Sequence, residues 1–209
     1  MPRATKGRDL PLSDERSTSI ESIEPAELPR VVGSRTIYQG KIVSMRVDEV
    51  TLPRGGTAVR EVVDHPGAVV IAALDGAGQI YLVSQYRHAI ARYLVELPAG
   101  GLEPGEEPLA AAKRELREEV GLEAGEWVPL GSFFSSPGFA NERLHAFLAR
   151  DLVSVDGEPD DDEDLAVVRH VLVDLLEHPG QIEDAKTLAA LCLLAANLKL
   201  LHAAEVKGV

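Results

Sequence analysis

Cysteine is almost absent. Cys192 is alone in 209 residues, so no intrachain disulfide can form and a reducing, cytoplasmic setting is expected. No apolar run approaches the roughly 18 residues of a membrane-spanning helix, so no membrane association is expected. Positive charge is also scarce: 21 Lys and Arg against 34 Asp and Glu leave a formal charge of −13. That balance argues against nucleic acid or an anionic membrane as partner. A small anionic substrate stays open, because a bound metal inverts the local sign. The six histidines show no HxxxH spacing, so no histidine metal site is expected. The N-terminal residues lack the apolar stretch of a secretory leader. Residues 1–30, broken by Pro2, Pro11, Pro25 and Pro29, read as a mobile tail. There is no internal repeat and no low-complexity tract.

From Val31 onward the pattern is β. Residues 31–38, 41–52 and 57–64 read as strands, with a hairpin signal at Pro53-Arg54-Gly55-Gly56. They form a small antiparallel sheet. Residues 67–74, GAVVIAAL, are continuously apolar and predict a strand buried on both faces. Further strands are expected at 79–86, 94–97, 127–133, 144–149 and 167–173, with an acidic loop at 159–164. A final helix over 183–203 carries Leu188, Leu191, Leu194, Leu198 and Leu201 on one stripe. Cys192 is read as a buried small hydrophobe on that helix, and Tyr93 and Trp127 as core aromatics. Strands first, then β/helix/β, then a terminal helix point to a mixed α/β or α+β sandwich.

Residues 100–122 read GGLEPGEEPLAAAKRELREEVGL. A glycine turn leads into a helix expected over 108–120, with Pro108 suited to its first turn and Gly121 to the position past its end. Glu115 and Glu119 are four apart and share a face, with Glu118 beside them. Such like charges repel on an isolated helix, and a hard divalent cation bound through oxygen turns the repulsion into attraction.

This stretch resembles the signature of the Nudix hydrolase family. Gly100, five residues, Glu106, seven residues, then Arg114-Glu115-Leu116-Arg117-Glu118-Glu119-Val120-Gly121-Leu122 meets every specified position. The resemblance implies an α+β protein: a Nudix α/β/α sandwich with a mixed sheet, preceded by a small N-terminal antiparallel β domain. The domain limits expected are 1–30 for the tail, 31–64 for the β domain and 65–206 for the Nudix domain. It also implies hydrolysis of a nucleoside diphosphate derivative with Mg²⁺ or Mn²⁺, two or more ions at turnover. Glu115, Glu119, Glu118 and the carbonyl of Ala99 are the metal ligands it implies. Gly100, Glu106, Arg114 and Gly121 are its structural supports.

Residues 134–143, FSSPGFANER, have turn composition. Pro137 lies 15 residues past Leu122, a spacing that resembles the ADP-ribose pyrophosphatase branch of the family. By that resemblance Glu142 is the catalytic glutamate of the loop, with Glu118 the other candidate, and Pro137 and Gly138 lie on the substrate side. A base on such a loop can swing in with substrate. Arg60 and Arg87 are expected to contact the ADP-ribose moiety, a guanidinium being suited to phosphate. Glu96 is expected to touch a ribose hydroxyl or a metal. The activity implied is cleavage of ADP-ribose by water to AMP and ribose 5-phosphate, in a homodimer with N-terminal strands exchanged. Other nucleoside diphosphate derivatives, or an ADP-ribose sensor without catalysis, are the alternatives.

Overall fold

The computed structural model describes residues 28–155 and 165–207, with side chains described through residue 199. Residues 1–27 of the expected tail, the acidic loop at 159–164 and the Leu201 side chain lie outside what is described. In chain order the strands are β1 (Val31–Gln39), β2 (Ser44–Thr51), β3 (Thr57–Asp64), β4 (Ala68–Ala73), β5 (Gln79–Arg87), β6 (Arg92–Glu96), β7 (Ala99–Gly101), β8 (Leu122–Phe134), β9 (Arg143–Ser154) and β10 (Leu165–Val171). The helices are α1 (Pro108–Val120), α2 (Leu172–Glu177) and α3 (Ala185–Lys207).

β1, β2 and β3 form an antiparallel meander. Its second hairpin closes through Gly55 and Gly56, at φ +88° and +85°, a backbone region that side-chain-bearing residues rarely enter. β1 is exposed along its whole length, and Val31, Val32, Ile37 and Tyr38 stand open to solvent. The interior of this sheet is a charge cluster. Asp48 is buried and accepts hydrogen bonds from Ser34 Oγ at 2.6 Å and Arg46 Nε at 2.9 Å. Those bonds hold its carboxyl below the usual range, Ser34 contributing most.

The rest of the chain is the sandwich. One sheet has the order β7-β4-β9-β8 and is mixed: β4 and β9 are parallel and the other pairs antiparallel. A second sheet has the order β10-β5-β6. β4 explains why its sequence is apolar throughout. Val69, Ile71 and Ala73 pack with Ala111, Ala112 and Leu116 of α1. Val70 and Ala72 face the other way, among Ala190, Leu191 and Leu194 of α3. Alternate residues of one strand thus serve two cores, one under each helix layer.

Several elements depart from the sequence reading. β8 begins at Leu122, directly after the α1 terminus at Gly121, and bends at a bulge around Gly131. β10 stops at Val171, and Leu172 and Val173 open α2 instead of ending a strand. Cys192 is exposed. The buried line of α3 runs Thr187, Ala190, Leu191, Leu194, and one further residue turns Cys192 about 100° away from it. Tyr93 is no core residue: it lies 58% exposed on β6 with its ring 5.5 Å from Tyr86. Trp127 is half-buried, edge-on to Phe147 in the core under α1.

Candidate active site

α1 starts at Pro108, whose missing N–H costs nothing there. It ends where Gly121 turns left-handed, φ 67°, and returns its N–H to the Arg117 carbonyl at 3.0 Å. Its inner face carries Ala111, Ala112 and Leu116 into the core, and the same face carries Glu115 and Glu119. The two glutamates are 8% and 4% exposed. They lie over β7, which β4 holds in register at Ala99 and Gly100.

β7 is shaped for them. A Cβ on Gly100 would lie 1.9 Å from the Glu115 carboxyl carbon, so the absent side chain is the space the carboxylate fills. The Ala99 N–H donates to Glu119 Oε2 at 2.9 Å. On the outer side Arg114 gathers the remaining charge. It donates to both Glu106 oxygens at 3.1 and 3.0 Å, to Glu115 Oε1 at 2.7 Å, to Glu118 Oε2 at 2.9 Å and to the Gly101 carbonyl at 3.0 Å. Arg114, and secondarily the Glu103 amide, holds the Glu106 carboxyl below its ordinary range. The guanidinium is pushed upward, chiefly by Glu106 and against the cost of burial.

Among the described residues no three His, Cys, Asp or Glu side chains are already gathered as a metal cluster. Arg114 stands between Glu115 and Glu118. The donor set nevertheless suits a hard divalent cation: carboxylate oxygens one helical turn apart, a strand backbone close beneath, and a glycine cradle that leaves room for oxygen. Ala99, Glu115 and Glu119 are together here, with Glu118 joined to them through Arg114.

A second charged group flanks the first. Glu96, at the end of β6, is 1% exposed. Arg87 donates to its two oxygens from Nε at 2.9 Å and Nη2 at 2.6 Å. Lys186 of α3 reaches the same carboxylate, Oε2, and also Asp184. Burial would raise the Glu96 pKa, but the bonds from Arg87 and Lys186 outweigh it and hold the group below its usual range. The sequence assigns Glu96 to a metal or a ribose hydroxyl; in the structure its oxygens are engaged by Arg87 and Lys186.

The Glu142 loop is fastened to the end of β3. Val63 N–H donates to the Phe139 carbonyl at 2.8 Å, and Asn141 N–H to the Val63 carbonyl at 3.2 Å. The Asn141 side chain accepts from His65 N–H at 2.9 Å and donates to Asp64 Oδ1 at 2.8 Å. Asp64 in turn pairs with Arg46. Glu142 Oε1 lies 3.8 Å from His65 Nδ1. Pro137 and Gly138 form the turn closed by Phe139 and Ala140 N–H on the Ser136 carbonyl, at 3.1 and 2.9 Å. Arg60 stands apart from these groups, exposed on β3, with its guanidinium on the Val59 carbonyl at 2.9 Å.

Sequence reasoning passes over Asn141, Asp184, Lys186 and Thr187. A signal exists for the last three. Asp184 precedes α3 and accepts from Thr187 N–H at 2.9 Å, a helix cap. Lys186 is a cation in the first turn, against the helix dipole, and so needs an anion nearby.

Comparison with known proteins adds the following. Residues 63–191 match the NUDIX domain, and residues 30–63 match the nucleoside diphosphate sugar hydrolase N-terminal domain. An ADP-ribose pyrophosphatase of Bacillus subtilis is 40% identical over 166 residues, 78% of this chain and 90% of that one. One from Mycobacterium tuberculosis is 48% identical over 130 residues, 62% of each. Among solved structures, an ADP compounds hydrolase superposes with a TM-score of 0.73 at 26% identity, over 84% of this chain and 97% of the other.

Two outcomes are expected. Gly100→Ala drives the Glu115 carboxylate off β7, so Mn²⁺ affinity measured by calorimetry falls at least about tenfold; unchanged affinity removes Glu115 from the ligand set. Glu106→Gln loses a charge-assisted clamp and lowers stability at pH 7 by about 1–3 kcal/mol. Because the folded pKa of Glu106 is depressed, its charge stabilises fully above the ordinary value of 4.5 and less as pH falls through the folded value. Urea denaturation at pH 7 and at pH 3 should show the gap between variant and wild type closing in acid; a gap of constant size contradicts the charge account.

Proposed function

The chain belongs to the Nudix hydrolase family, and we propose that it cleaves ADP-ribose with water to AMP and ribose 5-phosphate, using Mg²⁺ or Mn²⁺. It is a hydrolase of a pyrophosphate bond. What carries the ADP-ribose reading is the extent of one likeness: the Bacillus subtilis ADP-ribose pyrophosphatase matches over 166 residues, a longer span than the NUDIX match at 63–191. The likeness therefore reaches beyond the catalytic domain.

Glu115, Glu119 and Glu118, with the Ala99 carbonyl, are the groups that would hold the ions, two or more at turnover. When bound, such ions polarise the diphosphate oxygens and make the attacking water more acidic. The chain's own groups do the rest. Glu142 accepts the proton of the water whose oxygen bonds to one phosphorus as the bridging P–O bond breaks, and Glu118 is the second candidate for that proton. Arg87 presents a guanidinium to the diphosphate. Pro137 and Gly138 shape the loop on the substrate side. Arg114 and Glu106 keep α1 and its approach loop together, and Gly100 and Gly121 allow the backbone to do so.

Arg60 and the exposed strands belong to the second part of the proposal. β1 shows Val31, Val32, Ile37 and Tyr38 to solvent, apolar side chains on an edge strand that a second chain could cover. We place this sheet against a second copy of the chain, in a homodimer with exchanged N-terminal strands, where Arg60 reaches the partner's substrate.

Hydrolysis run in ¹⁸O-labelled water tests the activity: AMP and ribose 5-phosphate appear, the label locates the attacked phosphorus, and Glu119→Gln loses more than the roughly 10- to 100-fold typical of a ligand's supporting partner. A substrate panel with other nucleoside diphosphate sugars and dinucleoside polyphosphates separates the alternatives by kcat/KM. Absence of AMP with intact ADP-ribose binding would favour a sensor. Sedimentation equilibrium should give twice the chain mass of 22.5 kDa; a monomer at micromolar concentration overturns the exchange.

A further inference from the structure

The Glu96 group holds more positive charge than a buried carboxylate needs for hydrogen bonding alone. Arg87 covers both oxygens through Nε and Nη2, a bidentate contact that fixes the guanidinium plane. Lys186 then adds a second cation to Oε2, the oxygen that Nη2 already occupies. Arg87 keeps Nη1 outside this contact, and its side chain is 38% exposed, against 1% for Glu96. The guanidinium therefore has one anchored edge and one open edge.

Lys186 is itself held. Its Nζ lies 3.1 Å from Asp184 Oδ2. The same oxygen accepts from Thr187 N–H at 2.9 Å and Thr187 Oγ1 at 2.6 Å. Thr187 Oγ1 accepts the Leu97 N–H at 2.8 Å, one residue past Glu96. The start of α3 is thus stitched to the end of β6, and the ammonium has no slack. Arg87 is charge-stabilised chiefly by Glu96, and more weakly by Asp184 and Glu119. Each cation answers the other's effect on Glu96: without Lys186 the whole charge of a desolvated carboxylate acts on Arg87 alone.

We propose that Lys186 is a positioning residue for substrate: by sharing Glu96 with Arg87 it keeps the guanidinium's open edge directed to the diphosphate of a nucleoside diphosphate sugar. This rests on the pyrophosphohydrolase reading. It assigns the first turn of α3, more than ninety residues from Arg87 in sequence, to the substrate site without any contact to substrate.

The test compares full-length wild type, Lys186→Met, Lys186→Arg, Arg87→Ala and the Arg87→Ala/Lys186→Met double variant. Lys186→Met should raise KM for ADP-ribose about tenfold while kcat changes less than about threefold, the pattern of lost binding common to ground and transition states. Lys186→Arg should recover most of that loss. In the Arg87→Ala background Lys186→Met should add nothing to KM, because a residue that acts through another shows no independent effect. A thermal melt separates folding from binding: lower Tm with unchanged KM makes Lys186 merely structural and overturns the proposal. Additive KM effects would also overturn it, since they mean that Lys186 reaches substrate directly. Wild type that neither binds nor cleaves ADP-ribose sinks the substrate reading instead. Calorimetry with inorganic pyrophosphate then carries the same comparison of variants.

Discussion

Four glutamates, Glu106, Glu115, Glu118 and Glu119, meet at one helix and its approach loop, and like charges at that spacing repel. Positive charge is what makes the arrangement stable. Arg114 supplies it from inside the chain, with one guanidinium distributed over three of the carboxylates and the Gly101 carbonyl. The same constraint explains the glycine at position 100. A carboxylate pressed against a strand needs a residue without a side chain beneath it. An arginine, a glycine and a set of glutamates are therefore one electrostatic unit, and their joint spacing is what makes the family readable from sequence.

That unit needs a rigid floor, and β4 provides it. Its alternate residues fill the core under α1 and the core before α3, so α1 and α3 register against the same six-residue strand. β7 hangs from the edge of β4, where it carries Ala99 and Gly100 under the carboxylates. On the far side, α3 closes its core with Leu191 and Leu194 while its first turn reaches Glu96. Packing and electrostatics use different parts of one helix.

Much of this was legible in the chain itself. The continuous apolar run announced β4, and Pro108 and Gly121 marked the ends of α1, because those signals are local. What escaped depends on contacts distant in sequence. Lys186 and Glu96 are ninety residues apart, and neither carries a motif. Asn141 has only turn composition in the sequence, and its partners, Asp64 at the end of β3 and His65 just past it, lie more than seventy residues away. Cys192 is exposed rather than buried for a geometric reason: a helix rotates by about 100° per residue, so the neighbour of a buried leucine can face water. Tyr93 sits on an edge strand, where an aromatic residue need not be buried. β8 ran longer than its apolar pattern because pairing with β9 extends through polar residues such as Glu123 and Glu126.

The fastening of the Glu142 loop has a mechanical meaning. Between Asp64 and Ala68 the chain passes from the N-terminal sheet to the sandwich. Here Asn141 grips both Asp64 and His65, and His65 Nδ1 takes the N–H of Gly67 at 3.1 Å. Asn141 thus acts as a clasp between this crossing and the Glu142 loop. A tilt of the N-terminal sheet would therefore have to stretch or break the bonds that Asn141 makes to Asp64 and His65.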